Sequence, residues 1–176
     1  MRTARPVSLV VLLALAIVAG GCSSAPGARA WAASVCTALA PWRAEIGTLA
    51  ARTQQQMTAE TTPAQAKENL TRLFGGAEAA SERARADVAR AGVPDVRHGR
   101  QVADGFAASL GAIRDAYGRA REGIEALATA PSKQFYAQVQ TVVATLDADY
   151  RRSQLDTSNL DSEELKDAFD EVPECR

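Results

Sequence analysis

The sequence predicts an all-α protein, an up-down-up-down four-helix bundle with a short fifth helix at the C-terminus. Along four long segments, apolar residues recur at steps of three and four, which places them on one face of a helix with 3.6 residues per turn. The connections between these segments are short, and short connections favour antiparallel neighbouring helices. No stretch alternates between apolar and polar residues for long enough to predict a strand.

The first two helices have recognisable faces and ends. Pro41 lies within the first helix and removes one backbone donor, so we expect a kink or a split there. Thr62 as N-cap, Pro63 at the first helical position and Gln65 at the third form a capping box that begins the second helix. The Gly92-Val93-Pro94 segment ends it. The predicted core positions are Val35, Leu39, Trp42, Ile46, Leu49, Ala66, Leu70, Leu73, Ala77, Ala84, Val88 and Ala91.

The remaining helices follow the same pattern. Asp95 is expected to cap the third helix, which extends to about residue 129, and Pro131 begins the fourth, which extends to about residue 154. Asp161 with Glu164 repeats the capping-box pattern at the start of the short fifth helix. The predicted core positions of the third and fourth helices are Val102, Phe106, Leu110, Ile113, Tyr117, Ala120, Ile124, Leu127, Phe135, Val139, Val142, Leu146 and Tyr150.

The first 21 residues have the three parts of a secretion signal. Arg2 and Arg5 form a positive region, residues 7–19 form an apolar region, and small residues follow. The apolar run is shorter than the ~20 residues that a membrane-spanning helix needs. This pattern predicts export of the mature chain.

The end of this leader resembles the lipobox of bacterial lipoprotein precursors. Gly20, Gly21 and Cys22 match the small residues and the cysteine of that motif, whereas Ala19 stands where the family usually has leucine. The resemblance implies cleavage before Cys22, lipidation of its sulfur and anchoring at the extracytoplasmic face of the cell membrane, because two or three acyl chains form a stable anchor. The alternative is an ordinary secreted protein that is cut after a small residue.

On this interpretation the chain divides into a signal peptide (1–21), a flexible lipidated tether (22–29) and a helical bundle domain (30–176). Cys36 and Cys175 then remain, and outside the cytoplasm the simplest interpretation of two cysteines is a disulfide. In the predicted bundle the fourth helix ends at the pole where the first begins, which brings Cys175 back beside Cys36. The disulfide would tie the C-terminal helix to the first helix.

The composition restricts the partners. Removal of the leader leaves 18 basic and 21 acidic residues, a net charge near −3, which argues against a nucleic-acid partner. Arginine outnumbers lysine 17 to 3, and 37 residues are alanine, a bias typical of GC-rich genomes. The helical body with an early and a late cysteine resembles small actinobacterial envelope lipoproteins, a resemblance that implies no particular activity.

Two surface features allow a functional and a structural interpretation. The first is the basic turn between the second and third helices, where Arg90, Arg97 and Arg100 are predicted to contact anionic lipid headgroups or to form a solvated face. The second is the tryptophan pair. Trp42 is predicted in the core, whereas Trp31 is expected at the membrane interface because it lies near the lipid.

The sequence nominates no catalytic, cofactor or metal site. Asp95 and His98 have the spacing of a metal-ligand pair, but metal centres of helical bundles need that motif twice and two further glutamates. No Ser–His–Asp set and no phosphate-binding glycine loop are identifiable.

These observations predict a non-enzymatic, lipid-anchored cell-envelope protein whose helical bundle is an interaction or structural module for an envelope partner. The alternative is a ligand-binding lipoprotein that carries a lipid or a small molecule, and a hydrolytic enzyme is a third hypothesis. Glycines on the third helix favour close helix approach over a ligand cavity. They are Gly105, Gly111, Gly118 and Gly123.

Overall fold

The computed structural model describes residues 25–153, 160 and 162–176. Over these residues the chain is helical and contains no strand, which confirms the all-α class. The helices are α1 (Ala28–Gln56), α2 (Pro63–Arg90), α3 (Gly99–Glu125), α4 (Ser132–Arg152) and α5 (Glu163–Glu171), and a 3₁₀ turn follows at Pro173–Cys175.

The first helix, α1, is uninterrupted. Pro41 lies inside this continuous helix, so the helix is not split there. The Pro41 side chain is exposed to solvent. The helix begins at Ala28, within the segment predicted to be a tether (22–29), and Ala28 is buried. The first helix therefore begins before residue 30, the predicted start of the helical bundle domain.

Both ends of α2 are as predicted. The Thr62 hydroxyl accepts a hydrogen bond from the backbone N–H of Gln65, and the Gln65 side chain accepts one from the backbone N–H of Thr62. Pro63 occupies the first helical position. Beyond the helix, Gly92 has a φ of 76°, a left-handed conformation that costs glycine little because it has no Cβ.

The start of α3 differs from the prediction, because Asp95 does not cap it. The backbone N–H of Asp95 instead donates to the carbonyl oxygen of Pro26 at 2.8 Å, and the helix begins at Gly99. A Cβ at Gly99 would lie 2.1 Å from the carbonyl oxygen of Pro94, so only glycine fits there. This tight turn delays the helix despite the capping residue at Asp95.

The last two helices differ from the predictions at one position each. Tyr150 of α4, predicted to face inward, is 42% exposed. Tyr150 is exposed because α4 packs on α3 and, over a short stretch, on α2, but makes no contact with α1 among the described residues. Ser162 caps α5 by accepting from the backbone N–H of Leu165, so the predicted cap at Asp161, which lies outside the described residues, was one residue too early.

Each long helix contacts the next one along the chain through side chains. Such contacts join α1 to α2, α2 to α3 and α3 to α4. Representative pairs are Trp31 with Gly92, Trp42 with Ser81, Glu78 with Arg121, and Arg119 with Asp149.

The apolar interior has two clusters. The proximal cluster joins the first half of α1, the second half of α2, the first half of α3 and α5. The distal cluster contains Leu70, Phe74, Ala120 and Ile124, against which half-buried residues of α4 pack. We call the end of the molecule that carries Pro26 and the α2–α3 turn the proximal end.

The predicted disulfide is present in the proximal half. Cys36 and Cys175 are bonded, with their Cα atoms 5.0 Å apart and a separation of 139 in sequence. The bond fixes the chain terminus that follows α5 to α1, as the sequence predicted.

Trp31 lies at the centre of the proximal cluster, so the prediction that it lies at the membrane interface is wrong. It is fully buried, and its ring meets Phe106 and Phe169 edge-on at centroid distances of 5.4 and 6.0 Å. Its Nε1–H donates to the carbonyl oxygen of Gly92 at 2.9 Å. Both the ring and its polar group are thus satisfied inside the protein. The core position predicted for Trp42 is confirmed.

The α3 glycines permit close helix approach at two of the four predicted positions. A Cβ at Gly118 would lie 3.0 Å from the Glu78 carboxylate, and one at Gly123 would lie 3.2 Å from Val142. Gly111 has only ordinary contacts, and nothing lies near Gly105.

Replacement of Trp31 by alanine is expected to lower the free energy of unfolding by about 3–5 kcal/mol, because it removes a fully buried aromatic ring. Urea unfolding followed by circular dichroism measures the change. Tyr150→Ala is the control, with an expected loss below about 1 kcal/mol because that ring is exposed. Equal losses in the two variants would contradict the central position of Trp31.

Candidate functional site

The residues nominated by the sequence fall into two groups. Cys22, the predicted lipidation site, lies outside the described residues. Arg90, Arg97 and Arg100 are described, and all three side chains are exposed around the α2–α3 turn. The proximal end is therefore the candidate functional surface.

The beginning of the described chain is bound to this same turn. The Pro26 carbonyl accepts from the Asp95 backbone N–H at 2.8 Å, and Trp31 donates to Gly92 at the end of α2. These two hydrogen bonds hold residues 26–31 against residues 92–95. The segment that follows Cys22 thus reaches the domain beside the arginines.

The three arginines are not equivalent. Arg90 forms an ion pair with Asp87 on its own helix. Arg97 and Arg100 have no carboxylate partner within the described parts of the chain. On this turn, the charges of Arg97 and Arg100 are therefore available to an external partner.

An acidic surface also lies beside the first described residues. A shallow open cleft of about 410 Å³ is lined by Gly27 and Ala28 together with Glu164, Asp167 and Glu171. Glu171 pairs with Arg29, whereas the apolar face of α5 is buried against α1. The proximal end therefore carries a basic group of residues, at the α2–α3 turn, and an acidic group, on α5.

Among the described residues, no third ligand completes a metal site with His98 and Asp95. Both side chains are exposed, and no group of three or more histidine, cysteine, aspartate or glutamate residues that could hold a metal ion occurs within residues 25–153 and 162–176. His98 occupies the left-handed position just before α3, with a φ of 60°.

A groove between α3 and α4 is the feature that bears on ligand binding. It has a volume of about 130 Å³ and an apolar floor that includes Ala120, Val142 and Leu146. Ligand pockets usually measure about 300–1,000 Å³, so this groove is small for a bound molecule. The ion pair between Arg119 and Asp149, 2.6 Å apart, lies at its edge.

Charged groups across the α2–α3 contact are held in fixed ionisation states. The Glu82 carboxylate accepts hydrogen bonds from Arg85 at 2.6 Å and from Arg114 at 2.8 Å. These bonds lower the pKa of Glu82 to about 2. The hydrogen bond from Arg119 likewise lowers the pKa of Asp149, whereas burial raises the pKa of Tyr117. None of these groups is poised to exchange a proton near neutral pH.

Sequence reasoning missed two elements of this geometry. One is the bond between Pro26 and Asp95, for which the sequence holds no local signal because it joins distant backbone atoms. The other is the Glu82–Arg114 contact, which depends on the relative rotation of two helices.

Within the described ranges, no helix is both long enough and apolar enough to cross a membrane. Comparison with protein-family models, curated proteins and solved structures found no match for this chain.

The lowered pKa of Glu82 predicts a pH-dependent contribution to stability. Because the folded-state value of about 2 lies below the ordinary value of 4.5, the contribution is complete above pH 4.5 and is lost as the pH falls towards 2. Glu82→Gln should therefore lower the melting temperature at pH 7, and the difference from wild type should shrink between pH 4.5 and 2.

Glu68→Gln provides the matched control for this experiment. Glu68 pairs with Arg72 on its own helix and is largely exposed, so its removal should change the melting temperature little at any pH. A difference between Glu82→Gln and wild type that does not vary with pH would contradict the assigned role of the carboxylate.

Proposed function

We propose that the protein is a non-enzymatic, lipid-anchored envelope protein of the extracytoplasmic face, and that its helical domain is an interaction or structural module for an envelope partner. The observation that carries the proposal is the leader that ends in Gly20-Gly21-Cys22. An acyl anchor of two or three chains stabilises membrane attachment by about 0.8 kcal/mol per buried CH₂. It would hold the domain at the membrane without a spanning helix.

The disulfide supports an extracytoplasmic location. Disulfides persist in oxidising compartments and are rare in the cytosol. The bond between Cys36 and Cys175 leaves Cys22 as the remaining cysteine of the three in the chain. This is the number that lipidation of one sulfur requires.

The proposed domain architecture is an up-down-up-down order of α1 to α4. The contacts between consecutive helices support it, because residue numbers fall along one helix as they rise along the next. Glu78 contacts Arg121 whereas Glu82 contacts Arg114, and Arg119 contacts Asp149 whereas Gly123 lies against Val142. In this order the α2–α3 turn lies at the proximal end beside Pro26, which is consistent with the hydrogen bond from Asp95. The anchor and the basic turn would then share one pole.

Carriage of a lipid or a small molecule is the second candidate function, and one observation favours it. The groove between α3 and α4 has an apolar lining and is bordered by the ion pair of Arg119 and Asp149. Native mass spectrometry of protein extracted from membranes would reveal a bound molecule if this function were correct.

The anchor is tested by replacement of Cys22 with alanine in cells that express the full chain. Wild-type protein should fractionate almost entirely with membranes, and Cys22→Ala should move almost entirely to the soluble fraction or the medium, because every acyl chain is lost. Ser23→Ala, one residue away, should remain with the membranes. Membrane retention of Cys22→Ala, or a mature wild-type mass without lipid, would overturn the proposal.

A further inference from the structure

The proximal end places two groups of opposite charge beside the point where the chain enters the domain. The Asp95 N–H binds the Pro26 carbonyl, and the exposed Arg97 and Arg100 follow directly in sequence. Glu164 and Asp167 line the cleft at Gly27. A negatively charged surface near this point would therefore attract the first group and repel the second.

The chain geometry keeps this point close to the proposed anchor. Pro26 lies four positions after Cys22, and a fully extended chain gains at most about 3.6 Å per residue. The Cα atom of Pro26 therefore cannot lie more than about 14 Å from the Cα atom of Cys22. The proposed anchor thus holds the α2–α3 turn, which is hydrogen-bonded to Pro26, close to the membrane surface.

The availability of the two arginines distinguishes them from most arginines of the domain. Arg90 and Arg114, for example, are committed to carboxylates of the protein itself. Arg97 and Arg100 have no such partner among the residues that the structure describes. Contact with a negatively charged surface would therefore break no ion pair recorded for them.

We infer that the anchored domain is oriented, with the α2–α3 turn against anionic phospholipid headgroups through Arg97 and Arg100, and with acidic α5 turned towards water. This inference rests on the proposed lipid anchor and adds to it a specific membrane-facing surface. A basic residue near an anionic leaflet favours contact by about fivefold, so the two arginines favour this orientation by at most about thirtyfold at physiological salt, and the exposed Asp95 carboxylate of the same turn reduces this preference. High salt screens the attraction.

The experiment uses lipoprotein expressed as the full chain, purified from membranes and reconstituted into vesicles of phosphatidylcholine with or without 30% phosphatidylglycerol, roughly the anionic content that such attraction needs. Hydrogen–deuterium exchange then compares residues 94–101 with residues 163–171. We expect slower exchange at residues 94–101 in the anionic vesicles only, reversal of this protection at about 0.5 M NaCl, and no protection of α5.

Charge variants test whether the protection depends on Arg97 and Arg100 themselves or only on the net charge of the protein. Arg97→Gln combined with Arg100→Gln should abolish the anionic-lipid protection of residues 94–101 while the protein still floats with the vesicles. Arg43→Gln combined with Arg52→Gln is the matched control: both arginines are exposed on α1, have no ion-pair partner among the described residues, and lie outside the proximal end. This control should keep the protection.

The outcomes distinguish the orientation from the anchor. Protein that floats but shows equal exchange in both vesicles, or that protects α5 instead, would overturn the orientation and leave the anchor intact. Loss of protection in both double variants would also overturn it, because the effect would then follow net charge. Protein that does not float with either vesicle would overturn the anchor and, with it, the orientation.

Discussion

The structure depends on the packing of its C-terminal segment against the start of α1. Trp31 is enclosed by Phe106 from α3 and Phe169 from α5, and the two phenyl rings stack at a centroid distance of 5.7 Å. The bond between Cys36 and Cys175 fixes this arrangement from the side of α1. Without α5, the apolar faces of α1 and α3 would be open to water at the proximal end, where the first described residues also lie.

The position of α5 against α1 also explains why the two ends of the molecule are packed differently. α5 covers α1 in the proximal half, whereas α4 covers α3 in the distal half and leaves Tyr150 exposed. α4 and α5 thus cover different helices. The proximal end is cross-linked and rich in aromatic contacts, and it is the end at which the proposed anchor would transmit force from the membrane.

The sequence predicted local features well because their causes are local. The capping box at Thr62 and the left-handed Gly92 involve neighbours within a few residues, and both occur as predicted.

Predictions that depended on distant partners were less successful. Trp31 was assigned to the membrane interface because its nearest sequence feature is the leader, yet its partners Gly92, Phe106 and Phe169 are far along the chain. The predicted start of α3 is wrong because the backbone makes a tight turn between Pro94 and Gly99 before the helix begins. The disulfide was an exception. Only Cys36 and Cys175 remain after Cys22, and the predicted order of the helices places these two cysteines at the same pole.

The most direct test of this account compares the unfolding free energy of the full chain with that of the Cys36→Ser, Cys175→Ser double variant, with hydrogen exchange of α5 measured in both. A cross-link across 139 residues contributes about 5 kcal/mol by the chain-entropy estimate. The account predicts a loss of about that size, with a single unfolding transition and α5 still protected in the variant, because the aromatic contacts remain. An unchanged unfolding free energy, or an α5 that exchanges as freely as an unfolded peptide once the bond is removed, would contradict the claim that packing and cross-link together close the proximal end.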